Sequence, residues 1–165
     1  MPSEPRSLPD GVNVIRLIPE ANAPGQQSPR PRAFWPNQAD KERSAALGRG
    51  VLGVSVYDAR KCTAADVNAV RQAARRERGD AEDAPRVFLL AAEDIRAVGT
   101  RFALPIDVVE DPLLPTSTVN DAHCRIEGHC RDLEGREKHH LDVWSALCEI
   151  SREVAGDPEL APPPR

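Results

Sequence analysis

The chain has 165 residues, 40% of them hydrophobic and 29% charged, with a formal net charge of −4. One domain of this size buries roughly 70% of its unfolded surface, so it needs no disulfide or metal staple to hold a core. The acidic balance argues against a broad phosphate-neutralising surface, and no stretch approaches the ~20 apolar residues of a membrane span.

Aromatic residues make up only 4% of the chain, so the core is expected to be aliphatic. Arginine far outnumbers lysine, and alanine and proline are abundant, a codon signature of a GC-rich bacterial genome. The first residues lack a basic segment followed by an apolar run, so a cytoplasmic chain with four reduced cysteines is expected.

Residues 1–33 are rich in Pro, Ser and Gln and read as a largely disordered arm, in which Val12 to Ile18 is a short strand at most. Residues 34–155 read as a single globular domain. Residues 156–165 read as a disordered Pro-rich tail. Phe34 and Trp35 are expected to press the arm onto the domain.

Asn37 and Asp40 have capping-box spacing, and Gly48 is placed to follow the helix as its C′ residue. "VLGVSVY", Val51 to Tyr57, alternates and is β-branched, which predicts a strand. The following helix, 64–78, is capped by Thr63 with Asp66, and Cys62 at N′ can staple onto Val67. "RVFLLAA" is a continuous apolar run of strand length. The separation of Tyr57 from Val87 suits a crossover, so a βαβ unit over 51–91, two parallel strands with a helix on one face, is expected.

"AEDIRAVG" predicts a short helix ending at Gly99, and "LPIDVVED" a strand stopped by Pro112. "AHCRIEG" predicts a further strand, with "HCRDLEG" as its hairpin partner. The last helix is expected to run from about Leu141 to Val154. Its apolar residues cover more than half the wheel, wider than the ~100° stripe of a typical surface helix, so the helix is either deeply docked or meets a second partner such as another chain. The fold class is therefore α/β or α+β: a mixed sheet of about five strands, a βαβ unit, and a C-terminal helix packed on the sheet.

The chemistry-bearing residues cluster in "NDAHCRIEGHCRDLEGREKHH", Asn120 to His140, which holds all four histidines and two cysteines. A structural zinc site would draw on Cys124, Cys130, His129 and His140. Strand alternation argues against a set that puts both His123 and Cys124 on one ion, because the two point to opposite faces. On that register Cys124, Ile126 and Cys130 belong to the core, while His123, Arg125 and Glu127 look outward and His129 sits on a turn.

A site of histidine and carboxylates would use His123 as base or ligand, with Asp111, Asp121 or Glu127 as its partner. Cys62, at a helix start, has the position of an activated thiol, though the staple accounts for it without chemistry. There is no G-x-S-x-G elbow, and "GRGVLG" precedes a strand, where it cannot cradle phosphate. Arg71, Arg75, Arg76 and Arg78 read as a solvated helix face.

Two functional classes follow. The first is a small cytosolic binding or accessory protein acting through a protein partner, with Trp144, Leu141, Phe34 and Trp35 as interaction residues and a homodimer as one form. The second is a metal-assisted hydrolase or toxin-like enzyme, sited in the 107–129 region. Structural zinc binding is a third alternative. No cofactor is required by any motif; zinc or another divalent cation is the candidate.

Overall fold

The computed structural model describes residues 5–19, 22–23, 28–48, 50–78, 84–113, 121–130 and 141–154. The strands are β1 (Asn13–Ile18), β2 (Gly53–Asp58), β3 (Arg86–Ala91), β4 (Asp107–Glu110), β5 (His123–Glu127) and β6 (Arg152–Glu153). The helices are α1 (Gln38–Ala46), α2 (Ala64–Arg78), α3 (Ala92–Phe102) and α4 (Leu141–Ile150), and a 3-10 turn, Pro31–Phe34, precedes α1. The class is α+β, with one sheet in the order β4-β5-β2-β1-β3-β6.

Every neighbouring pair in that sheet is antiparallel. β2 and β3 do run parallel, as the βαβ reading expects, but they are not neighbours. β1 lies between them and pairs with both. Val12 to Ile18, the short strand within the expected arm, therefore supplies the centre of the sheet. Its composition explains why: Val14, Ile15 and Ile18 are all fully buried, and adjacent residues face opposite sides, so both faces find apolar cover.

Alternation along the strands divides the core in two. Val14, Val54, Val56, Leu90, Val108, Cys124 and Ile126 join one cluster with Ile95 and Val98 of α3 and Val143 and Leu147 of α4. Ile15, Val87 and Leu89 join the other with Val67 of α2. The molecule is thus three layers, with α3 and α4 on one face and α2 on the opposite one.

The caps follow the sequence. Asn37 and Asp40 form a capping box, and Gly48 takes a positive φ of 64° just beyond α1. Thr63 and Asp66 form the box of α2, and Cys62 shares a cluster with Val67. Gly99 is not a stop. It lies inside α3, at a position where a Cβ would meet the Leu104 carbonyl oxygen at 2.7 Å. The hairpin expected after β5 does not form at its start, since β5 is already paired on both sides, by β2 and β4. Gly128 instead turns the chain away at φ 88°, with the Pro105 carbonyl oxygen 2.4 Å from where a Cβ would be. The rest of that stretch, residues 131–140, lies outside the described residues.

α4 ends at Ile150, earlier than expected. Ser151 turns back on the Cys148 carbonyl, and Val154 donates to Val87 on the sheet edge instead of continuing the helix. The wide apolar girdle of α4 is explained within the chain. Trp144 is 1% exposed and meets Trp35 at a ring separation of 5.2 Å, and Phe34 is fully buried in the same cluster. The second partner is the 31–35 segment. Leu141 is 45% exposed.

Candidate functional site

β5 pairs with β2 so that His123 lies opposite Tyr57, Arg125 opposite Ser55 and Glu127 opposite Gly53. These residues share one sheet face, as alternation requires. The row expected to look outward is nevertheless buried: His123 is 3%, Arg125 2% and Glu127 4% exposed. Its cover is α1. That helix buries Asp40 and Ser44 and no apolar side chain. A polar strand face has met a polar helix face.

The contacts are specific. Arg43 Nε donates to Asp111 Oδ2 at 3.0 Å, and its Nη2 donates to Oδ1, a bidentate pair. Asp111 Oδ2 lies 3.3 Å from His123 Nδ1, and the Asp111 carbonyl oxygen lies 2.8 Å from the same nitrogen. His123 Nε2 lies 3.0 Å from Ser55 Oγ, and Ser55 Oγ lies 3.3 Å from Asp40 Oδ1. Arg125 donates to Ser44. Room for its guanidinium exists because residue 53 is glycine: a Cβ there would sit 2.8 Å from Nη2.

The partners fix the histidine tautomer. A carbonyl and a carboxylate oxygen can only accept, so Nδ1 carries the proton. In the neutral ring Nε2 is then a lone-pair acceptor facing the Ser55 hydroxyl. This is the arrangement a general base needs, with the acid holding the ring from behind. Burial disfavours the Asp111 carboxylate, but hydrogen bonds from His123 and Arg43, with Arg43's charge, outweigh it and hold its pKa down to about 2. Asp111 is therefore ionised at neutral pH. Tyr57 packs edge-on against the imidazole at 5.7 Å.

Of the candidate acids, Asp111 reaches His123 directly. Glu127 is buried at the far end of β5 from His123, on the same strand face, and Asp121 is exposed. Cys124 and Cys130 lie in the apolar cluster on the other side of the sheet, with Ile126 between them in sequence. His129 is fully buried, its Nε2 2.9 Å from the Phe34 carbonyl oxygen. His140 lies outside the described residues. Among the described residues no three His, Cys, Asp or Glu side chains come close enough to hold a metal ion.

Three of the thiols are pushed away from activation. Burial, then the charges of Asp66 and Asp58, push the Cys62 pKa up to about 11. Burial pushes Cys124 and Cys148 up to about 12. The pull of a helix N-terminus on Cys62 loses to desolvation.

Ser55, Asp40, Arg43 and Ser44 escape a reading of motifs. A signal for them was present. Ser55 is a hydroxyl set between Val54 and Val56 in β2, and the α1 sequence, "QADKERSAA", has no apolar stripe to bury. A helix of that kind docks only where its receiving surface is polar.

Comparison with known proteins adds nothing to this geometry: no family model, curated protein or solved structure matches the chain.

Proposed function

We propose that the protein is a small hydrolase of acyl substrates, with Ser55 as nucleophile, His123 as general base and Asp111 as the residue that orients and charges the base. The observation that carries this reading is the continuous chain Ser55 Oγ, His123 Nε2, His123 Nδ1 and Asp111, with links of 3.0 and 3.3 Å. Ser55 Oγ would attack a carbonyl carbon as its proton passes to His123 Nε2. The imidazolium would return that proton to the leaving group, and water activated by the same nitrogen would release the acid. Relative to the metal-assisted hydrolase, the second class expected from the sequence, the base and the acid are kept and a serine takes the place of the metal.

The test is covalent. A fluorophosphonate probe should label the purified protein at one site, identified as Ser55 by peptide mass spectrometry. His123→Ala should abolish labelling, and a panel of ester substrates should show turnover that Ser55→Ala removes. No labelling and no turnover would count against the reading.

A second reading, a binding protein acting through a protein partner, is favoured by the roof itself. α1 covers His123 and engages Asp111, Ser55 and Arg125 through its own side chains. In that case the array is a latch for α1, and Ser55→Ala would alter docking of the helix without any loss of chemistry.

A further inference from the structure

α1 stands apart from the other helices in how it is held. α2 docks through Val67 and α3 through Ile95 and Val98, whereas α4 contributes Val143, Trp144 and Leu147 to the core. α1 buries Asp40 and Ser44 alone. Three polar contacts link it to the sheet: Asp40 to Ser55, Arg43 to Asp111 and Ser44 to Arg125.

The chain on either side of α1 is anchored differently. Before it, Ala33 and Phe34 are buried, and Arg16 clamps the Ala33 and Ser55 carbonyls at 2.8 and 2.7 Å. After it, Leu52 is buried at the start of β2. Gly48, at positive φ, and Gly50 lie between the helix and that second anchor. A Cβ at either glycine would meet open space.

We infer that α1 is a releasable lid over the Ser55–His123 pair, which undocks as a unit while the sheet and the other three helices stay folded. Apolar burial is non-directional and resists salt, whereas an ion pair with one partially exposed member is screened. Arg43 is the partially exposed member, its side chain 34% exposed against 7% for Asp111. Closed, the lid occupies the centre. Asp40 competes with His123 for the Ser55 hydroxyl proton, and Arg43 takes both carboxylate oxygens of Asp111. Released, α1 would leave the hydroxyl to His123 and open a route to it. The inference concerns the helix and holds whether or not Ser55 is a nucleophile.

Hydrogen exchange read by mass spectrometry on the full chain tests it. Peptides over 41–47 should exchange faster than peptides over β2, β5 and α2, and faster again in about 0.5 M than in about 0.05 M salt, a roughly tenfold span over which the Debye length shrinks about threefold. Arg43→Gln should accelerate α1 by about tenfold or more, the scale of a lost charge-assisted pair, and leave β2 and α2 unchanged. Two outcomes would overturn the lid. One is exchange of α1 that responds neither to salt nor to Arg43→Gln. The other is acceleration of all elements together, which would mean that α1 opens only when the whole chain unfolds. Probe labelling of Ser55 reads a different property, so its failure leaves this result standing.

Discussion

Asp40 and Ser55 are joined by a 3.3 Å contact that ties a helix cap to the candidate nucleophile. The other carboxylate oxygen of Asp40 accepts the Asn37 backbone N–H at 3.0 Å, completing the capping box of α1. One side chain thus starts the helix and docks it. Local folding of α1 and the state of the site are coupled through that residue.

Acid should weaken this docking from the side of Asp111. Its folded pKa of about 2 lies below the ordinary carboxylate value of 3.8. A depressed pKa contributes stability that is complete above the unfolded value and is lost as pH falls through the folded one. The contribution is on the order of 2 kcal/mol for a group this buried. Urea midpoints measured from pH 6 to pH 2.5 should fall for the wild type below about pH 4. Asp111→Asn should start lower and lose less over that range.

The space beside Arg125 gives a sharper test of packing. Gly53→Ala puts a methyl group 2.8 Å from Nη2 and 2.9 Å from Nε of a guanidinium that is itself buried. The expected loss is about 1–3 kcal/mol, from overpacking and a displaced buried charge. Gly50→Ala, which meets open space, should change stability by less than about 0.5 kcal/mol. Thermal or urea unfolding of the two variants makes the comparison. Equal effects would mean that the Arg125 seat does not constrain residue 53.

All four cysteines are buried and none is in a disulfide. Three have pKa values raised to about 11 or 12, mainly by desolvation. In the folded protein at pH 7.5 they should react with a thiol reagent far more slowly than a free thiol, and all four should react after denaturation. Fast labelling of Cys62 under native conditions would revive it as a nucleophile.

Trp144 carries the contact between α4 and the 31–35 segment. Trp144→Ala should destabilise the protein by about 3–5 kcal/mol, the range for a large buried aromatic. Trp35→Ala should cost less, since Trp35 is only partly buried. If α4 instead used its girdle to hold a second chain, Trp144→Ala would shift the oligomeric state while leaving monomer stability nearly unchanged.

What the sequence makes legible here is local. The capping boxes at Asn37 and Thr63, the C′ glycine at 48 and the strands at 51–57, 86–91 and 107–110 are each set by residues within one or two turns of each other. The core faces of Cys124 and Ile126 follow from alternation. Sheet order is not local, so the insertion of β1 between β2 and β3 leaves no mark in spacing. The Leu104 carbonyl beside Gly99 is likewise a neighbour brought close only by the fold. His123 and Asp111 could be named as partners from adjacent strand ends. Ser55 could not, because strand alternation places it on an outward face, and only the polar underside of α1 turns that face inward.

The most direct measurement is labelling of the full chain with a fluorophosphonate, with the modified peptide sequenced. The account predicts a single adduct on Ser55, abolished by His123→Ala, and faster in Arg43→Gln because the lid is loosened. An unlabelled Ser55 in both the wild type and Arg43→Gln, with α1 shown by hydrogen exchange to be open in the variant, would contradict it.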